Sequence, residues 1–238
     1  MPSFTSKYAG RQWLEQGSHK PLGYSSRRFN LEICRPPSIA TGMNFSLEQV
    51  SALIRNRRSI KPASMDPTRT VERATLLTLL ENATWAPTHG MTEPWRFRVY
   101  EGAARETLAD TLQRVYREVT PAAEQREDKY AKLHDSVLQA PTIIACSMQR
   151  GSVDKIPLQD EIEAVACALQ NLMLSASAIG LGSFWSSPPL LESGDFKSWL
   201  GLRPQDQCVG LMYLGWPKVS SAWPTSARKP LTECVSWA

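Results

Sequence analysis

The sequence predicts an α+β domain that has few strands and long helices. Helical and strand-like patterns mix along the chain without strict alternation and without an internal repeat. Residues 158–179 form the most apolar helical segment, whereas residues 141–148 and 207–217 have the short continuous apolar runs of buried strands. A chain of 238 residues is long enough to bury the core of one enzyme-sized domain.

The regular part of the chain begins near Ser46. Gln49 follows this serine at the third position of a capping box, which predicts a helix over residues 47–57. A second, strongly apolar helix is predicted over 71–84, and it ends before the next proline. Aromatic and aliphatic residues then alternate with arginines over 95–100, as a strand requires.

The middle and the end of the chain complete the predicted core. Residues 103–118 and 121–139 have the pattern of exposed amphipathic helices and carry most of the mid-chain charge. The apolar residues of 158–179 cover more than one helical face, which favours a central helix or a subunit-interface helix. The glycines of "IGLGSFW" lead out of this helix into a short strand.

The first 41 residues differ in composition from the rest. Residues 1–41 contain six basic and two acidic side chains, a surplus that equals the net charge of +4 for the whole chain. They show no sustained helical or strand period, so we expect an irregular basic extension that wraps the surface or forms a tail. A transit peptide and a nucleic-acid-binding segment are the alternatives. Residues 42–238 are then the folded domain.

Cysteine usage and hydropathy indicate the compartment. The five cysteines include no CxxC pair, and Cys146, Cys167 and Cys208 lie inside apolar runs, which favours buried reduced thiols. No apolar run is long enough to cross a bilayer, and no secretory h-region precedes the domain. We therefore expect a cytoplasmic protein that binds neither membrane nor nucleic acid, and the three separated histidines predict no metal site.

The segment "WAPTHGMTEPWRF", residues 85–97, joins the second helix to the first strand and is called the elbow below. It contains His89, which alone could be a hydrogen-bonded structural residue, a catalyst or a ligand. The chain has no GxSxG, HExxH or Walker pattern, and no GxGxxG after a strand. The motifs therefore predict no protein nucleophile.

Four separated segments together resemble the FMN-dependent nitroreductase family, in the small bacterial subgroup whose A-P motif carries a histidine. They are "RNRRSIK" at 55–61, the elbow, "IGLGSFWSS" at 179–187 and "ARKPLTECVSW" at 227–237. The resemblance implies a central, mostly antiparallel sheet flanked by long helices, in an intertwined homodimer with FMN at the interface. It also implies a ping-pong reaction in which NADH or NADPH reduces the flavin at N5 and a nitroaromatic or quinone then reoxidises it.

The resemblance also implies which side chains contact the cofactor, and no residue of the chain is expected to be catalytic. The expected cofactor-binding residues are Arg57, Arg58, Ser59, Lys61, Trp85, His89, Trp185, Ser186, Ser187, Arg228 and Lys229. FMN carries a phosphate dianion and a ring that becomes anionic on reduction, so cations are needed at both ends. These residues also have structural alternatives. Arg57 and Arg58 could instead be cations that interact favourably with the dipole at a helix C-terminus. Lys61 could be solvated, and Trp185 could belong to the core.

Three positions depart from the family pattern. Met91 stands where the broad family has asparagine, Glu93 where it has glutamine, and Ser186 where relatives often have arginine. A carboxylate at position 93 loses the usual amide contact unless it pairs with Arg96 or Arg98. Two other functions stay open, namely a flavoenzyme of the same fold that dehalogenates or degrades flavin, and a non-enzymatic flavin-binding or partner-binding protein.

Overall fold

The computed structural model describes residues 45–219 and 221–237. The predicted basic extension, residues 1–41, and the first three residues of the predicted domain lie outside the described residues. Cys34 lies outside them as well.

One four-stranded sheet forms the centre of the described chain. Its strands are β1 (Trp95–Glu101), β2 (Thr142–Met148), β3 (Gly182–Ser186) and β4 (Gln207–Gly215). The strand order is β1-β2-β4-β3, and every neighbouring pair is antiparallel. The antiparallel sheet predicted for this chain is therefore confirmed, and each predicted strand is present.

Within residues 45–219 and 221–237, six α-helices surround the sheet. They are α1 (Leu47–Asn56), α2 (Arg73–Thr84), α3 (Ala104–Val119), α4 (Glu127–Leu138), α5 (Leu158–Ala178) and α6 (Gly194–Leu200). The Ser46 side chain accepts a hydrogen bond from Gln49 N–H, and the Gln49 side chain accepts one from Ser46 N–H, so the predicted capping box is confirmed. None of the helices in the described part of the chain is long and apolar enough to cross a membrane.

The helical elements depart from the sequence expectation at two places. α4 begins at Glu127 instead of 121, because the residues after Pro121 form a separate 3-10 turn, Ala122–Glu124. α6 was not predicted. It is only seven residues long, and its signals are the Ser193 side chain at its N-cap and Gly201 in the left-handed conformation (φ 77°) at its C-terminus.

The sheet separates two apolar clusters. Alternate residues of β2 enter opposite clusters, so that Ile143 packs with α3, α4 and α6 while Ile144 packs with α2 and α5. Both side chains are fully buried, which stabilises the fold by about 1.5–3 kcal/mol each. All seven residues of β2 are buried, as its continuous apolar run predicts.

Two apolar surfaces are less buried than the sequence pattern suggests. α1 has no buried residue, and the Val50 and Ile54 side chains of its apolar face are 41% and 50% exposed. Cys146 and Cys208 are buried as predicted. The prediction that Cys167 is buried is wrong for a single copy of the chain. Cys167 is exposed because it lies on the face of α5 that points away from the sheet.

The antiparallel order fixes which loops leave the same end of the sheet. β1 begins and β3 ends at one end, because three antiparallel pairings relate the two edge strands. The elbow enters β1 at this end, and Ser187 follows β3 there. The loop after β2 and the segment before β4 also lie at this end.

Candidate functional site

The predicted site residues fall into four groups, which are the basic corner (residues 57–61), the elbow, the end of β3 (residues 185–187) and the tail (residues 221–237). The basic corner follows α1 and lies on the start of β3. Ile60 N–H donates to the Ser183 carbonyl at 2.9 Å, and Ser59 forms an isolated parallel bridge with Ser183. Ile60 is 3% exposed, so this contact is part of the core.

Arg58 has two environments within the basic corner. Its Nη1 donates to the carbonyls of Arg55 and Arg57 at 2.5 and 2.8 Å, which satisfies acceptors at the end of α1. For Nη1, the structure therefore agrees with the alternative that Arg58 is a cation at the C-terminus of a helix. Arg58 Nε, by contrast, is buried and has no hydrogen-bond partner among the described residues. This edge of the guanidinium therefore has a donor that the described residues leave unused.

The other cations of the basic corner are available to a ligand. Arg57 ends α1 through its backbone N–H, which donates to the Leu53 carbonyl at 3.1 Å, and its guanidinium bonds to no other described residue. Lys61 is exposed and begins a 3-10 turn, Pro62–Ser64. The corner therefore gathers three cations and Ser59 within five consecutive residues.

The elbow has an unusual backbone. Trp85 ends α2 with its side chain 78% exposed, and the 3-10 turn His89–Met91 follows. Met91 and Glu93 have positive φ angles of 53° and 45°. Such angles cost about 1–3 kcal/mol each in residues other than glycine and occur most often at functional sites.

Several contacts hold the elbow in this conformation. His89 Nδ1 lies 2.6 Å from Asp160 Oδ2 in the first turn of α5. Glu93 N–H donates to Thr88 Oγ1 at 3.2 Å. Gly90, with φ 60°, lies directly against Ile156, where a Cβ atom would be 2.6 Å from Ile156 Cδ1.

Glu93 does not form either of the ion pairs that could replace the lost amide contact. Arg96 Nη1 donates to the main-chain carbonyls of Glu93 and Trp95 at 2.9 and 2.7 Å. Among the described residues the Glu93 carboxylate pairs with neither Arg96 nor Arg98. The carboxylate is exposed at this end of the sheet.

A buried ion-pair network lies at the same end of the sheet as the elbow. Glu161 is 1% exposed, and it accepts from Arg150 Nη1 at 2.6 Å and from Gly151 N–H at 3.0 Å. Asp206 accepts from Arg150 N–H at 2.8 Å and from the Arg203 guanidinium. Burial would raise the pKa of Asp206, but these hydrogen bonds outweigh it and lower the pKa below its usual value.

Sequence reasoning missed these supporting residues. The partners Arg150 and Asp206 are 56 positions apart, and no motif connects them. The acidic pair Asp160 and Glu161 at the start of a predicted helix was a usable signal, since carboxylates are favoured at helix N-termini.

The end of β3 contributes one structural aromatic residue and two serines. Trp185 Nε1 donates to the Val209 carbonyl at 3.3 Å, and the indole covers Gly210, where any side chain would overlap it. This packing agrees with the alternative that Trp185 belongs to the core. Ser186 is half-buried and Ser187 exposed, at the same end of the sheet as the elbow.

The tail approaches α1 but not the basic corner itself. Trp223 Nε1 donates to the Asn56 carbonyl at 2.9 Å, next to Arg57. Arg228 donates to the Ser226 hydroxyl and to the Ala227 carbonyl, and Lys229 pairs with Glu233. Both predicted cations are exposed and bond only within the tail among the described residues.

The structure therefore connects part of the predicted site. Ser59 is joined to Ser183, and β3 extends from there about 13 Å to Ser187 at an extended-strand rise. The elbow lies at that same end of the sheet. Arg228 and Lys229 are not brought to the other cations within one chain.

Comparison with known proteins assigns the chain to a family. A family model described as the nitroreductase family matches residues 54–216. The chain belongs to the nitroreductase family. The matched span of this nitroreductase-family chain contains the basic corner, the elbow and β3, and it ends before the tail.

Two curated relatives match most of this nitroreductase-family chain. It is 30% identical over 178 residues to "Putative NAD(P)H nitroreductase YdjA" of Escherichia coli (strain K12), which covers 75% of the chain and 93% of the relative. It is 29% identical over 190 residues to "5,6-dimethylbenzimidazole synthase" of Rhodospirillum rubrum, which covers 75% of the chain and 87% of the relative.

Solved structures confirm the nitroreductase fold. A nitroreductase-like family protein from Bacillus cereus is 29% identical with a TM-score of 0.68, covering 83% of this chain and 99% of its own. The FMN-dependent nitroreductase NfnB from Mycobacterium smegmatis, solved in complex with NADPH, is 19% identical with a TM-score of 0.61. That comparison covers 81% of this chain and 100% of the other.

Proposed function

We propose that this protein is an FMN-dependent oxidoreductase that passes hydride from NADH or NADPH to an electron-poor acceptor, a nitroaromatic or a quinone, by a ping-pong mechanism. Family membership supports an NAD(P)H-linked oxidoreductase, and the relative from Escherichia coli has a name of this kind. When bound, FMN would supply a two-electron carrier that accepts hydride at N5 from one substrate and gives it to the next.

The buried Arg58 Nε is the observation that carries the proposal. A buried N–H without a partner costs about 1–3 kcal/mol. This one follows Arg57, whose guanidinium bonds to no other described residue, and the exposed Lys61 is three positions further along the chain. A phosphate oxygen would satisfy the buried nitrogen, and phosphate also matches the fork geometry of arginine. The residues present therefore fit FMN.

We assign roles from this corner outward. Arg57, Arg58 and Ser59 bind the phosphate and ribityl chain, and Lys61 lies near the ring oxygen that gains negative charge on reduction. Residues 42–238 form the FMN-binding unit. The remaining contacts come from the elbow and the end of β3, which lie at one end of the sheet, and from the tail, namely Trp85, His89, Trp185, Ser186, Ser187, Arg228 and Lys229.

We further propose that two copies of the chain complete the site. The exposed apolar face of α1 and the exposed side chains of Leu231 and Trp237 in the tail, 73% and 94% accessible, need a partner surface. A homodimer would cover them and could bring Arg228 and Lys229 of one chain toward the basic corner of the other. Light scattering on the full chain and on a variant ending at residue 222 tests this, with a dimer and a monomer expected.

The direct test of the proposed activity uses FMN-loaded protein without oxygen. Addition of NADH or NADPH should bleach the flavin absorbance, and a quinone or nitroaromatic should restore it. Protein that stays colourless after incubation with FMN would contradict the proposal. Protein that binds FMN but is bleached by neither nicotinamide would instead support a different chemistry on the same fold.

A second candidate function rests on the relative from Rhodospirillum rubrum. Its name, 5,6-dimethylbenzimidazole synthase, is that of an enzyme with a different product, and its identity to this chain is nearly that of the nitroreductase relative. Chromatography of the reacted mixture separates the two candidates. Intact FMN after many turnovers favours the oxidoreductase, whereas loss of FMN with appearance of 5,6-dimethylbenzimidazole favours the synthase.

A further inference from the structure

We propose that Asp160 and His89 form a proton-transfer dyad in which His89 Nε2 donates a proton to the acceptor during its reduction. The inference rests on the proposed function, because it places the elbow beside the flavin. It adds a catalytic residue to a reaction for which the motifs predict none.

The dyad is defined by one short contact between distant parts of the sequence. His89 Nδ1 lies 2.6 Å from Asp160 Oδ2, although the two residues are 71 positions apart. An ionised carboxylate only accepts hydrogen bonds, so Nδ1 carries the hydrogen and Nε2 is the nitrogen left for a substrate. The His89 side chain is 59% exposed, which leaves room for a substrate or water at Nε2.

The location of Asp160 suits a carboxylate side chain. It lies in the first turn of α5, where the helix dipole stabilises negative charge. The next carboxylate, Glu161, is already paired with Arg150 at 2.6 Å. Among the described residues, His89 is the one side chain that pairs with the Asp160 carboxylate.

Other contacts also hold the backbone of the elbow. Gly90 packs on Ile156, and Glu93 N–H is bonded to Thr88, so the backbone on the C-terminal side of His89 is held independently. A partly exposed ion pair stabilises a fold by only about 0–1 kcal/mol. The main effect of Asp160 is thus on the tautomer and orientation of the imidazole, as in other carboxylate–histidine pairs.

The reaction consumes a proton, which the dyad would supply. Reduction of a quinone to a hydroquinone needs one hydride and one proton. The quinone takes the hydride, with its electron pair, from the reduced cofactor and the proton from His89 Nε2. An O–H bond forms as the Nε2–H bond breaks, and the imidazolium becomes neutral while Nδ1–H stays on Asp160. Solvent then returns a proton to the exposed Nε2.

Stopped-flow measurement of the two half-reactions tests the dyad in FMN-loaded protein. Because His89 is also a proposed flavin contact, reduction by NADPH is expected to slow somewhat in His89→Gln, but in Asp160→Asn it should change less than about twofold. Reoxidation by p-benzoquinone should slow at least about tenfold and lose its solvent deuterium isotope effect, since general acids contribute about 10²–10⁴-fold. Gln159→Ala, on the same turn of α5, is the matched control and should leave both steps unchanged.

Two results would overturn the dyad. One is reoxidation of His89→Gln at the wild-type rate. The other is equal slowing of both half-reactions, which would leave His89 with a structural or flavin-binding role and no part in proton transfer.

A second readout needs no cofactor. Nitrogen-15 NMR of the imidazole should show the Nδ1–H form in wild-type protein and a loss of that preference in Asp160→Asn. An unchanged tautomer would refute the dyad even if FMN binding, and with it the proposed function, also failed.

Discussion

Gly90 and Ile156 are packed so closely that a Cβ atom on residue 90 would lie 2.6 Å from Ile156 Cδ1. Ile156 is 1% exposed, and Gly90 has a φ of 60°, so both space and backbone conformation restrict this position. The elbow is thereby seated on the loop that precedes α5. Its exposed residues, including Met91, are presented by a backbone that core packing holds in place.

Gly90→Ala should therefore destabilise the protein more than the same substitution does at another glycine with a similar positive φ. Gly102 is the matched control, because its φ is 53° and no atom lies within 4 Å of a Cβ placed there. We expect the free energy of unfolding to fall by about 1–2 kcal/mol more in Gly90→Ala, the overpacking contribution, as measured by urea denaturation. Equal losses in the two variants would show that Ile156 does not restrict the elbow.

Replacement of the Arg150 guanidinium should strongly destabilise the protein. Arg150→Met leaves Glu161 buried without its cation, which costs about 3–5 kcal/mol. The control is Arg114→Met, which breaks an exposed pair with Glu118 and should cost under about 1 kcal/mol. Thermal and urea denaturation of both variants measure the difference. Similar losses would mean that the Arg150–Glu161 pair contributes no more than a surface ion pair.

Asp206 should make stability depend on pH in the acid range. Its pKa is lowered in the folded state, so its contribution is fully present above the ordinary value of about 3.8 and is lost as pH falls through the folded pKa. Asp206→Asn should be less stable than wild type at neutral pH, and the gap should narrow below about pH 4. Urea midpoints across this range check the prediction. A constant gap would show that the Asp206 carboxylate is not the titrating group.

Local patterns in the sequence predicted most of the fold. The capping box at Ser46, the alternation of β1 and the continuous apolar run of β2 are signals within a few residues, and each element is present. α6 was missed because seven residues give too short a pattern. The exposure of α1 could not be predicted, since an apolar face indicates burial but does not say against which surface.

The candidate site was only partly predictable for a related reason. Segment resemblance identified the basic corner and the elbow, which are contiguous in sequence. The contact of His89 with Asp160 and that of Arg150 with Asp206 join residues 71 and 56 positions apart, and only the folded chain shows them. The positive φ angles of Met91 and Glu93 could not be predicted either, because methionine and glutamate do not indicate such a backbone conformation.

The central claim is that the basic corner binds the phosphate of FMN. It is tested most directly by titrating wild type, Arg57→Ala and Arg58→Gln with FMN and with riboflavin, which lacks the phosphate, and by following flavin fluorescence. Arg114→Gln, an exposed cation on α3, is the control. We predict that wild type prefers FMN and that each corner variant loses about 1.5–3 kcal/mol of FMN affinity but keeps its riboflavin affinity. Equal affinity of wild type for the two flavins, or unchanged FMN affinity in both corner variants, would contradict the account.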